Sequence, residues 1–234
     1  VKKFMEEREL TVQLVLDVSG STGFGTDPGD GAERVRTVRE TAAIVCGCFA
    51  FAAARNNDKA GMLTFSDRVE RHVPARKGRN HVLRLIREAW AQERTGLGTD
   101  LGLALDHAGR VLRRRAVVVV VSDFFAPVPE RQLRVLSRRH DVICVRIRDP
   151  HSEDLPKAGL LHLRDPETGA AVVVDTNSAR VRDELRRRVA QERARFDDAC
   201  KRAGVDCFDV SPRGSVADAI VRFFRMREQR GRKR

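Results

Sequence analysis

Val117-Val118-Val119-Val120-Val121-Ser122-Asp123 is five valines in a row that end on two polar residues. An unbroken run of valines has no polar face, so a strand made of it must be covered on both sides. Strands buried on both faces belong to parallel sheets packed between helices. The run ends on a hydroxyl and a carboxylate, Ser122 and Asp123. Leu10 to Leu16 is a second apolar strand, and it too is followed by an acid, Asp17. Lys59 to Phe65, Asp141 to Ile147 and Val205 to Val210 read as further strands.

Helical periodicity fills the intervals. Glu33 to Arg55 carries Val38, Ala42, Val45, Phe49 and Ala53 at helical spacing. Asn80 to Ala91, Asp100 to Leu112 and Pro129 to Arg139 follow the same rule, with Thr99 in an N-cap-like place before the second of these. Ala179 to Ala203, with Val181, Leu185, Val189, Phe196 and Cys200 on one face, and Ser215 to Arg227 complete the set. Alternating strands and helices predict an α/β fold, a mostly parallel open sheet with helices on both faces. Val69 to Val73, reached through Ser66-Asp67-Arg68, reads as an antiparallel edge strand, and Val205 to Val210 is placed at the other edge. Leu161 to Arg164 and Ala171 to Val174 flank a turn-rich stretch and predict an inserted hairpin at about 160–175. The expected organisation is a lead-in over 1–10, one domain over 11–228 and a basic tail over 229–234.

Composition narrows the function. The 234 residues are 41% hydrophobic but only 5% aromatic, so the core is aliphatic. The net charge of +12 describes an Arg-rich surface that could also attract an acidic partner. Cys46, Cys48, Cys144, Cys200 and Cys207 are odd in number and lack Cys-x-x-Cys spacing, which predicts buried free thiols in a reducing, cytoplasmic setting. No run of about 18 apolar residues exists to span a membrane. The chain opens on Val1 rather than Met and reads as a piece of a longer protein.

Asp17-Val18-Ser19-Gly20-Ser21 sets one carboxylate and two hydroxyls just past a strand, with no thiol or imidazole among them. Hard oxygen donors suit Mg²⁺, with Mn²⁺ as an alternative, whereas Zn²⁺ more often brings Cys or His. Thr99, in Gly96-Leu97-Gly98-Thr99-Asp100-Leu101, and Asp123 are oxygen donors in equivalent places. Ligands of open parallel sheets bind beyond the carboxyl ends of the strands, so Asp17, Ser19, Ser21, Thr99 and Asp123 are expected to converge there. Ser19 and Ser21 would ligate directly, Thr99 directly or through water, and the two acids through bridging waters. Mg²⁺ keeps positions for water or an outside ligand, and the natural outside ligand is an Asp or Glu of a partner protein. Asp67 reads as a turn residue, Asp100 as a helix-start charge, and Trp90 as core or groove lining.

This set resembles the metal-ion-dependent adhesion site of von Willebrand factor A domains. Over nearly its whole length the chain more closely resembles the DUF58 family of bacterial and archaeal proteins. The resemblance is carried by the opening Val1-Lys2-Lys3-Phe4-Met5-Glu6-Glu7-Arg8-Glu9, by Phe65-Ser66-Asp67-Arg68-Val69-Glu70, Gly98-Thr99-Asp100-Leu101 and Ser122-Asp123-Phe124, and by Arg139-His140-Asp141-Val142-Ile143 and Leu163-Arg164-Asp165-Pro166-Glu167-Thr168-Gly169. It implies a von Willebrand factor A-like fold and a non-enzymatic binding module, working with a MoxR-type AAA+ ATPase in protein maturation or complex assembly. The long glycine-rich segment Thr22 to Gly31 departs from the pattern and bears on access to the metal.

Rival readings fare less well. A phosphatase with Asp17 as nucleophile wants a second acid two residues on, where Ser19 stands. No Gly-x-x-x-x-Gly-Lys-Ser/Thr loop or Gly-x-Gly-x-x-Gly after a first strand binds a nucleotide, and no small-molecule substrate is expected. Nucleic acid is the runner-up by charge alone, because Arg113-Arg114-Arg115 and Arg186-Arg187-Arg188 lack the interleaved aromatics that stack on bases.

Overall fold

A computed structural model describes residues 9–23, 35–91, 96, 98–148, 156–164 and 169–231. Its strands are β1 (Thr11–Asp17), β2 (Lys59–Phe65), β3 (Val69–Arg76), β4 (Val117–Ser122), β5 (Asp141–Ile147), β6 (Leu160–Arg164), β7 (Ala171–Asp175) and β8 (Asp206–Val210). Its helices are α1 (Val38–Arg55), α2 (Arg79–Ala91), α3 (Leu101–Val111), α4 (Glu130–Ser137), α5 (Ala179–Ala203) and α6 (Val216–Gly231).

Six strands form one sheet in the order β3-β2-β1-β4-β5-β8. All neighbours in it are parallel except the edge pair β2 and β3. The valine run explains the layering. Val118 and Val120 face a core shared with α3, α4 and α5, while Val119 and Val121 face one shared with α1, α2 and α6. Each of these four side chains is fully buried, and burial of a valine contributes roughly 1.5–3 kcal/mol. Among the described residues, β6 and β7 pair only with each other, as a separate two-stranded sheet.

Several local expectations need correction. Helix α1 starts at Val38, not Glu33, because Thr37 caps it: the Thr37 hydroxyl accepts from Glu40 N at 3.0 Å and Glu40 accepts from Thr37 N at 2.9 Å. Thr37→Ala is expected to cost about 1 kcal/mol of stability, read as a lower midpoint in urea unfolding with an unchanged slope. The cap of α3 is Asp100, whose carboxylate accepts from Leu103 N at 2.9 Å, and Thr99 is thereby left outside the helix. Trp90 is 54% exposed rather than in the core, since α2 turns Val82, Leu85 and Ala89 inward. Along α5 only the C-terminal half is buried, through Phe196, Ala199, Cys200 and Ala203, while Val181, Leu185 and Val189 stay half-buried. Gly204 ends α5 in the left-handed conformation, φ 66°, which favours glycine. The glycine-rich segment from residue 24, the hairpin turn 165–168, the lead-in 1–8 and the tail 232–234 lie outside the described residues.

Candidate metal centre

The strand order reverses direction at β1. From β1 the chain moves one way to β2 and β3, and later returns to add β4 on the other side. The carboxyl ends of β1 and β4 stand on either side of this reversal, the place where open α/β sheets bind ligands. Asp17 is the last residue of β1, and Asp123 follows the last residue of β4.

The two strand ends are joined by a short hydrogen bond. Register pairs Leu16 with Val121, which brings Ser122 beside Asp17. The Ser122 hydroxyl donates to Asp17 Oδ2 at 2.6 Å and accepts from Phe124 N at 3.0 Å. Phe124 holds φ 55°, an uncommon backbone for a bulky residue, and its ring packs on Phe196 at 4.3 Å between centroids. On the other side, Ser19 N donates to Asp17 Oδ1 at 2.8 Å. A 3₁₀ turn over Gly20–Gly23 follows, tied by the Thr22 hydroxyl donating to Ser19 O at 2.8 Å. The turn brings the Ser19 and Ser21 hydroxyl oxygens within 3.2 Å of each other. Asp123 Oδ1 accepts from Phe125 N at 3.2 Å.

Thr99 reaches the same edge from a third direction. Asp100 N donates to Ser66 O at 2.8 Å, and Ser66 immediately follows β2, the other neighbour of β1. The structure thus gathers Asp17, Ser19, Ser21 and Asp123 into one cluster and sets Thr99, half-buried, on the adjoining loop.

Asp17 is 1% exposed and Asp123 is 7% exposed. Burial, and then the nearby Asp123 charge, push the Asp17 carboxyl up to about 7, against the lowering effect of its hydrogen bonds to Ser122 and Ser19. Two buried carboxylates that oppose each other's ionisation, with facing hydroxyls beside them, fit a hard divalent cation. The cation would neutralise the acids and take the hydroxyls as neutral donors. Among the described residues no three His, Cys, Asp or Glu side chains gather to hold a metal, so a centre here depends on Ser and Thr oxygens.

Ser122 was not singled out by the sequence as a site residue, although it sits between a strand and Asp123. Arg146 was also missed. It lies beside Ser122 in register, is 6% exposed, pairs with Asp209 at 2.8 Å and Asp197 at 3.1 Å, and stacks over the Phe196 ring at 4.7 Å. A cleft next to Asp123 is lined by Phe125, Arg146, Arg148, Val189 and Arg193.

Residues 1–195 match the family described as "Protein of unknown function DUF58". The chain belongs to the DUF58 family. This DUF58 chain is similar to the uncharacterized protein Rv1480 of Mycobacterium tuberculosis, with 30% identity over 233 residues that cover 98% of this chain and 71% of that protein. Among solved structures it is similar to an aerotolerance-related membrane protein from Bacteroides fragilis, with a TM-score of 0.60 and 16% identity, covering 92% of this chain and 99% of that one. BatB from Bacteroides thetaiotaomicron gives a TM-score of 0.58 and 16% identity, covering 94% and 98%. At such identity these likenesses concern the fold alone. The fold of this DUF58 chain is α/β: a mostly parallel six-stranded sheet with helices on both faces. Among the described residues, no helix is long and apolar enough to cross a membrane.

Proposed function

We propose that this DUF58 chain is a non-enzymatic binding module that holds Mg²⁺, or Mn²⁺ in its place, through Asp17, Ser19, Ser21, Thr99 and Asp123. The reading rests on one observation: two buried, mutually repelling carboxylates stand beside paired serine hydroxyls at the switch point of the sheet. Ser19, Ser21 and Thr99 are neutral donors, so the cation retains affinity for a further carboxylate. That carboxylate is an Asp or Glu of a protein partner. Phe125, half-exposed beside Asp123, offers an apolar contact next to the ion. The partner machinery is a MoxR-type AAA+ ATPase, and the setting is the cytoplasm, in keeping with five free thiols.

A hydrolytic role for Asp17 is disfavoured by its surroundings, since it is 1% exposed and each of its oxygens accepts a hydrogen bond. A phosphate-binding role for the arginines of α5 is weakened by intrahelical pairing. Arg186, Arg187 and Arg195 each meet an acid three residues earlier, Asp183, Glu184 and Glu192.

Pull-down of a MoxR-type ATPase is the test of function. Capture is expected with Mg²⁺, to be lost in EDTA and in Asp17→Ala, and to survive moderate salt. Capture that ignores EDTA but falls steeply with ionic strength would instead mark phosphate-type electrostatics.

A further inference from the structure

We propose that Glu70 is a positioning residue for the metal centre, holding the loop that presents Thr99. The inference rests on the metal reading above. Ser19 and Ser21 are held by the 3₁₀ turn that follows β1, and Asp17 and Asp123 sit at strand ends, where the sheet fixes them. Thr99 does not. It lies between Gly96 and the start of α3, outside any strand or helix. A small cation that demands near-ideal geometry needs that loop held in place before it arrives.

Glu70, half-buried on β3, supplies the hold. Its Oε1 accepts from Gly96 N at 2.8 Å and from the Ser66 hydroxyl at 2.5 Å. Both are charge-assisted hydrogen bonds, about twice as strong as neutral ones. Ser66, fully buried, also accepts from Asp100 N at its carbonyl, at 2.8 Å. The loop is therefore gripped on both sides of Thr99, at Gly96 by Glu70 and at Asp100 by Ser66. The fit at Gly96 is close enough that a Cβ there would overlap Ser66 Oγ and Asp67 Oδ1.

The same segment reaches the other arm of the site. Phe65, next to Ser66, pairs with Asp17 across the sheet, and its carbonyl accepts from Val18 N at 2.8 Å. Phe65 and Ser66 thus join the Asp17–Ser21 arm to the Thr99 arm, and Glu70 fastens the second of these. A carboxylate suits the task because one of its oxygens accepts from two donors at once. Glutamine keeps an acceptor but loses the charge.

The experiment is a double-mutant cycle on the full chain, with Mg²⁺ binding followed by calorimetry. Glu70→Ala is expected to weaken binding about 10- to 100-fold, the usual effect of losing an outer support of a metal ligand, and Glu70→Gln to fall between it and the unaltered chain. Glu70→Ala combined with Thr99→Ala is expected to bind no more weakly than Thr99→Ala alone, because Glu70 acts through Thr99. A general loss of structure would not produce that non-additivity. Should Glu70→Ala fail to fold, as judged by circular dichroism, Glu70→Gln serves in the same cycle. Unchanged affinity in the Glu70 variants, or losses that simply add, would overturn the inference while leaving the metal reading intact. Absence of Mg²⁺ binding by the unaltered chain would overturn the metal reading and the role of Glu70 with it.

Discussion

Asp17→Asn is expected to make the metal-free protein more stable at pH 8 while abolishing its response to Mg²⁺. The two effects have opposite signs and one cause. Asp17 is buried beside Asp123, and its carboxyl is pushed up from 3.8 to about 7. At pH 8 the folded protein holds that group as an anion at a cost the unfolded chain does not bear. A shift of this size corresponds to up to about 4 kcal/mol. Asparagine keeps an oxygen for Ser19 N and offers an amide to the Ser122 hydroxyl, so both present hydrogen bonds have replacements. Urea unfolding in EDTA is the check. The variant should exceed the unaltered protein by a few kcal/mol at pH 8, and the gap should close as pH falls towards 4. An Asn variant less stable than the parent at pH 8 would mean that the ionised Asp17 is already compensated without metal.

Stabilisation by Mg²⁺ should grow steeply with pH. The folded pKa of Asp17 is raised, so its contribution to stability is complete below the unfolded value near 4 and is lost as pH rises through about 7. Above that point the apo protein carries an uncompensated buried anion, which is the form a cation binds. Below it a proton occupies the carboxylate and must leave first. With a pKa of about 7, the apparent affinity at pH 5.5 is expected to be about 30-fold weaker than at pH 8. At a fixed Mg²⁺ concentration the rise in Tm should be clear at pH 8 and small at pH 5.5. An equal rise at both values would separate metal binding from Asp17.

Much of this was legible because the decisive signals are local. The valines of β4 have no polar face, so a doubly covered strand could be read from them directly, and the structure divides them between two cores. The acids after β1 and β4 mark carboxyl ends, and a parallel sheet aligns such ends whatever the loop lengths. The start of α1 was also written locally, as Thr37 and Glu40, but the charged stretch before it extended the apparent helix. Contacts set by register were not legible. Ser122 meets Asp17 across 105 residues of sequence, and Glu70, an edge-strand acid, gains meaning only when the distant Gly96 amide folds onto it. A core place for Trp90 failed for another reason: it follows Ala89 by one step around α2, a rotation that carries it from the buried face to the surface. The half-buried Val181, Leu185 and Val189 continue the helical pattern of α5 beyond the buried part of the helix, and periodicity does not say where the core ends.

The most direct test of the metal centre is a crystal grown with Mn²⁺ and measured for its anomalous signal. One peak is expected at the carboxyl ends of β1 and β4, at about 2.0–2.2 Å from the Ser19 and Ser21 hydroxyl oxygens, with Thr99, Asp17 and Asp123 closing the shell directly or through water. A density map with no ion at that place, in a crystal where the same five side chains are ordered, would contradict it.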